Sequence, residues 1–143
     1  MPAMPSGPVS GSSCASSRPS GGSVFLLEDE PHIRHLVSHT LSEAYALTLA
    51  TTYGDAIDWI ERKPFDVLLL DIRIPGSASG IDVLHHARTA ASSQNLETPA
   101  VAFTACVMPG DQERLLAEGF DDYLPKPFSK NDLFGVLSHL QAH

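Results

Sequence analysis

Asp66-Val67-Leu68-Leu69-Leu70-Asp71 is the stretch that decides the fold. Four large apolar residues in a row, bounded by acids, read as a short strand covered on both faces. The same grammar recurs along the chain. Val24-Phe-Leu-Leu27 is a buried strand that stops at Glu28-Asp29-Glu30, and Tyr45 to Ala50 reads as another. Ala100-Val-Ala-Phe103 is a fourth strand ending at Thr104, and Phe120 to Leu124 a fifth ending before Lys126. Helix-period segments lie between them. Pro31 suits a first helical turn, and Ile33, Leu36, Val37, Thr40, Leu41 and Ala44 follow the spacing of one buried helix face. Asp55 to Arg62 predicts a short helix ended before Lys63-Pro64. A Pro/Gly/Ser loop, Pro75 to Gly80, precedes a helix from about Ile81 to Ala91. Pro109-Gly110-Asp111 opens a helix that runs to Glu118, with Gly119 as its C-terminal cap. Ser129 caps a last helix to about Leu140.

Five strand–helix pairs predict an α/β fold, a doubly wound five-stranded parallel sheet with helices on both faces. Right-handed crossovers make every strand point the same way, so the carboxyl ends gather on one edge, where open α/β sheets hold their ligands.

Composition sets the outer limits. The chain has 143 residues and a formal net charge of −8, which argues against nucleic acid or an anionic membrane as a direct partner. No apolar run is long enough to span a bilayer, and the N-terminus lacks the pattern of a secretory signal. Two cysteines, Cys14 and Cys106, make no disulfide framework, so a cytoplasmic setting is expected. Sixteen of residues 1–23 are Ser, Gly or Pro, a composition expected of a flexible leader, with residues 24–143 as the folded domain.

The residues that follow strands one, three, four and five are Glu28-Asp29, Asp71, Thr104 and Lys126. Three carboxylates in one crevice repel one another unless a cation neutralises them. Hard oxygen donors suit Mg2+ (or Mn2+), which is typically held by one or two carboxylates plus a phosphate. With a lysine ammonium and a threonine hydroxyl added, the set forms a site for a phosphoryl group, one carboxylate acting as nucleophile.

The chain resembles the receiver domain of two-component response regulators. The resemblance rests on Leu26-Leu-Glu-Asp-Glu-Pro31, Asp66-Val-Leu-Leu-Leu-Asp71-Ile-Arg-Ile-Pro75-Gly76, Val101-Ala-Phe-Thr-Ala105 and Asp121-Asp-Tyr-Leu-Pro-Lys-Pro-Phe128. It implies a flavodoxin-like (βα)5 sheet of order 2-1-3-4-5. It further implies that Asp71 accepts phosphoryl from a sensor histidine kinase or histidine phosphotransfer protein. Glu28, Asp29, Asp71 and the Arg73 carbonyl would hold magnesium, Thr104 and Lys126 would bind phosphoryl oxygens, and Tyr123 would switch rotamer. Lys126-Pro127 matches a cis peptide of the family. The readout would lie on the fourth helix, fifth strand and fifth helix, which serve an unknown downstream protein or a homodimer. No output domain is recognised after Lys126, so a single-domain regulator, a relay shuttle or a receiver cut from a hybrid kinase is expected. Three departures stand out: Glu28 where Asp is commoner, a loop from Pro75 to Gly80 one residue longer than usual, and Pro125 before Lys126.

Rival readings exist for each feature. An aspartyl-nucleophile phosphohydrolase would want an acid two residues after Asp71, where Arg73 stands. A flavodoxin-like cofactor binder would be repelled by Glu28-Asp29-Glu30, and a pseudo-receiver binding module would lack a core acid or the lysine. His32, His35 and His39 read as a solvated helix face rather than a transition-metal site, and His85, His86, His139 and His143 likewise. Cys106 reads as an ordinary small side chain rather than a redox sensor.

Overall fold

The structure, a computed structural model, describes residues 22–73, 79–104 and 110–141. Its elements alternate strictly: β1 Ser23–Leu27, α1 Pro31–Leu41, β2 Ala46–Ala50, α2 Tyr53–Arg62, β3 Val67–Asp71, α3 Gly80–Thr89, β4 Ala100–Thr104, α4 Asp111–Glu118, β5 Asp122–Pro125 and α5 Lys130–Gln141. All four neighbouring pairs are parallel, in the order β2-β1-β3-β4-β5, as the family resemblance implied. Residues 1–21, which hold most of the expected leader and Cys14, lie outside the described residues, as do 74–78, 105–109 with Cys106, and 142–143.

Strand pleating divides the core. Phe25, Leu27, Leu68, Leu70, Ala100 and Ala102 face a cluster with Ala56, Ile60, Val83, Leu84 and Leu115 from α2, α3 and α4. Val24, Leu26, Val67, Leu69, Val101 and Phe103 face the other way, onto Val37, Leu41, Leu133 and Leu137 of α1 and α5. Leu68, Leu69 and Leu70 are wholly buried because both faces are covered, which is why that stretch shows no alternation. No helix among the described residues is long and apolar enough to cross a membrane.

Several boundaries differ from expectation for local reasons. α2 begins at Tyr53, ahead of Asp55, because Thr52 caps it: its Oγ1 accepts the Asp55 N–H at 3.2 Å. α3 stops at Thr89, where Ala90 is already extended (ψ 131°). β5 starts at Asp122 rather than Phe120, because left-handed Gly119 (φ 115°) turns the Phe120 N–H back onto the Leu115 carbonyl at 3.2 Å. β5 also takes in Pro125, which the sheet tolerates at an edge strand. The Ser129 cap is present, its Oγ accepting the Asp132 N–H at 3.1 Å.

Candidate functional site

Backbone pairing delivers each expected residue to the carboxyl edge. The Glu28 N–H donates to Ala50 O at 3.1 Å, Ile72 N–H to Phe103 O at 3.1 Å, and Lys126 N–H to Thr104 O at 2.8 Å. These bonds fix the backbone just past β1, β3 and β5, so Glu28, Asp71 and Lys126 converge across β1, β3 and β5. They open on a cleft of about 390 Å³ lined by Glu28, Asp29, Glu30, Pro31, Asp71, Arg73 and Lys126. The Lys126-Pro127 peptide is cis, as the resemblance implied.

Lys126 is the hub. Its Nζ donates to Glu28 Oε2 at 3.2 Å and lies 2.9 Å from Oε1 and 3.2 Å from Asp71 Oδ2. Glu28 is fully enclosed at 0% exposure, and Asp71 and Thr104 are nearly so at 4% and 3%. Asp29 is partly open to solvent at the mouth. Two backbone donors orient the acids: Arg73 N–H to Asp71 Oδ1 at 2.9 Å and Glu30 N–H to Glu28 Oε2 at 3.1 Å.

Burial dominates the electrostatics. Desolvation, aided by the nearby Asp71 charge, pushes the Glu28 carboxyl up to about 7 against the pull of Lys126 and the Glu30 N–H. Burial opposes the Lys126 charge too, but its hydrogen bond to Glu28 and the Asp71 and Glu28 charges outweigh it and carry its pKa above the ordinary lysine value. The lysine therefore keeps its proton, and Glu28 is the group poised to ionise near neutrality.

The donor set fits a hard divalent cation. Glu28, Asp29 and Asp71 each offer a carboxylate oxygen within 4.8 Å of the others. Glu28 Oε1 is buried and receives no directed hydrogen bond, although the ammonium sits 2.9 Å away off the hydrogen-bonding line. Three carboxylates around one ammonium leave negative charge that a hard divalent cation would neutralise.

Thr104 is not among the residues lining that cleft; it lines a second, smaller cavity of about 100 Å³ with Ile72, Arg73, Asp111, Arg114 and Leu115. Tyr123 is half-buried, packed against the core under α2, α3 and α4, with its hydroxyl donating to Gln112 Oε1 of α4 at 3.1 Å. Arg73 lines both cavities, its N–H committed to Asp71.

Sequence reasoning missed two supports. Gly80 opens α3 against the Asp71 backbone, so closely that a Cβ there would stand 2.3 Å from the Asp71 carbonyl oxygen. As the end of a Pro/Gly/Ser loop it reads only as a turn residue. The Glu30 N–H was likewise hidden, because a backbone donor carries no residue-type signal. His85 is exposed, as a solvated face expects, with Nε2 2.9 Å from Glu118 Oε1 of α4, whereas His86 is half-buried and its Nε2 pairs with Glu61 Oε2 of α2 at 2.6 Å.

Known proteins resemble this chain in sequence and fold. A family model described as "Response regulator receiver domain" matches residues 24–138. The transcriptional regulatory protein DltR of Streptococcus agalactiae is 34% identical over 115 residues, covering 80% of this chain and 49% of its own length. The sensor histidine kinase GacS of Pseudomonas protegens is 30% identical over 115 residues, 80% of this chain and 12% of its own. The chain thus spans about half or less of these relatives. The receiver domain of sensor histidine kinase PA1611 from Pseudomonas aeruginosa, solved with magnesium coordinated in its active-site cleft, superposes with a TM-score of 0.74. It shares 30% identity over 86% of this chain and 99% of that one.

Proposed function

The chain belongs to the response regulator receiver family, and from that membership we propose that it takes a phosphoryl group onto Asp71 and switches a protein-binding surface. The observation that carries this reading is the convergence at one strand edge of Asp71 with Glu28, Asp29 and Lys126, the ammonium 3.2 Å from Asp71 Oδ2. Glu28, Asp29, Asp71 and the Arg73 carbonyl would hold magnesium, which supplies positive charge to neutralise phosphoryl oxygens when bound.

The chain's own residues do the rest. The Arg73 N–H fixes the plane of the Asp71 carboxylate through Oδ1. Lys126 balances the carboxylate before transfer and the phosphoryl oxygens after it, trading part of its contact with Glu28 for them. Burial of Asp71 keeps bulk water from its side chain. Thr104 would donate its hydroxyl to the new oxygens, and Tyr123 would leave Gln112 and pack inward as the switch. The donor would be the histidine of a kinase or phosphotransfer protein, which the chain would meet in the cytoplasm. The recipient would be a protein docking on α4, β5 and α5, where Leu116 and Phe134 are exposed, or a second copy of the chain. Residues 24–143 act as a phosphoacceptor rather than a turnover enzyme, in keeping with Arg73 where a hydrolase would carry an acid.

Mass spectrometry after treatment with acetyl phosphate and magnesium tests this. The wild type should gain about 80 Da, one HPO3, as a base-labile adduct that Asp71→Asn lacks. No adduct, or an equal one on the variant, overturns the assignment.

A further inference from the structure

The phosphoryl chemistry leaves the histidine stripe of α1 without a task. His35 and His39 are exposed and one helical turn apart. Their rings lie side by side, 12° from parallel, with centroids 6.1 Å apart. The helix backbone fixes the separation of the two stems. The terminal torsion of each ring is broad, so the two rings can turn out of their stack to aim one nitrogen of each at a common point without moving the backbone. Two imidazoles at i and i+4 are a metal-binding spacing.

We propose that His35 and His39 form a second cation site, separate from the carboxylate cleft, that takes a divalent transition-metal ion (Cu2+, Ni2+ or Zn2+) through one nitrogen from each ring. Donor chemistry separates the two sites. Imidazole nitrogen suits copper, nickel and zinc, whereas the oxygen-only set of Glu28, Asp29 and Asp71 suits magnesium. Among the described residues no third His, Cys, Asp or Glu groups with the pair, so water completes the coordination and the ion stays exchangeable. α1 carries no acid from Pro31 to Leu41, so no carboxylate within the helix competes for the ion.

The test uses the untagged full chain with magnesium in excess at about pH 7.5. Cu2+ is titrated by calorimetry and, separately, into isotope-labelled protein while amide signals are followed for paramagnetic broadening. Broadening should centre on α1. His35→Ala and His39→Ala should each weaken Cu2+ binding about tenfold or more, the equivalent of 1.4 kcal/mol, while His85→Ala leaves it unchanged. Alanine is the best helix former, so circular dichroism should show both histidine variants folded. Broadening centred on the acidic cleft or on His85-His86, or wild-type affinity in both α1 variants, overturns the proposal. The readout on α1 involves no phosphoryl transfer, so the outcome is independent of whether Asp71 accepts phosphoryl.

Discussion

Replacing Gly80 by alanine probes how tightly the phosphoacceptor strand is held. Gly80 is the first residue of α3, and an added Cβ would stand 2.3 Å from Asp71 O, 2.9 Å from Asp71 C and 3.3 Å from Ile72 Cα. Carbon–oxygen contacts settle at about 3.3 Å, so α3 and the end of β3 must separate by roughly 1 Å. All three contacts are backbone, and no rotamer can relieve them. Overpacking of this kind costs about 1–3 kcal/mol, against a gain of up to about 1 kcal/mol from alanine's helix propensity. The net expectation is a loss of about 1–2 kcal/mol in urea unfolding. The functional effect should be larger in proportion, because the displaced atoms are those that carry the Asp71 carboxylate. A 1 Å misplacement can cost about a hundredfold in rate, so labelling by acetyl phosphate should slow by one to two orders of magnitude and magnesium should bind more weakly. Ser79→Ala, which removes the hydroxyl that accepts the Ile81 N–H at 3.2 Å without adding bulk near Asp71, should lower stability but leave the labelling rate intact. A Gly80→Ala protein with wild-type stability and wild-type labelling would refute the close-approach argument.

Other expectations follow from the same geometry. Because burial raises the Glu28 carboxyl from 4.5 to about 7, the folded state holds its proton more tightly than the unfolded chain does. Its contribution favours folding below about pH 4.5 and is lost as pH rises towards 7, by about 2 kcal/mol after allowance for screening. Urea unfolding in EDTA should show that decline and Glu28→Gln should flatten it; an identical slope in the variant would remove Glu28 as its source. Magnesium affinity, read by calorimetry, should rise with pH through about 7, since only ionised Glu28 serves as a ligand. Asn95 is buried and its side chain takes the Phe65 N–H at 2.8 Å and the Thr98 hydroxyl at 2.9 Å while donating to Ile60 O and Lys63 O, both at 2.9 Å. Asn95→Ala leaves the buried Phe65 N–H without its acceptor, while Ile60 O keeps the Gln94 N–H at 3.1 Å and the Thr98 hydroxyl keeps Phe65 O at 3.2 Å. It should cost about 2 kcal/mol, with acetyl phosphate labelling unchanged because Asn95 sits at the opposite sheet edge, and slowed labelling in a folded variant would contradict that separation.

The alternation of short apolar runs with helical periods was enough to place all five strands, their parallel order of travel and the edge where Glu28, Asp29, Asp71, Thr104 and Lys126 collect. That much is local: burial on both faces writes continuous apolar runs, and the residue after each run necessarily lies at the carboxyl edge. Boundaries that depend on hydrogen bonding, such as the Thr52 cap and the late start of β5 after Gly119, were less legible, since several residues can satisfy the same pattern. What only the tertiary structure decided are relations across long sequence distances. Glu28 and Lys126 are 98 residues apart, yet both Glu28 oxygens lie within 3.2 Å of the ammonium. The Asn95 bonds to α2 and the Gly80 contact with Asp71 likewise exist only once the layers dock. Residue type announces which chemistry is present; the distances and the loss of water that set its strength arise when separate elements pack, and no local stretch of sequence encodes them.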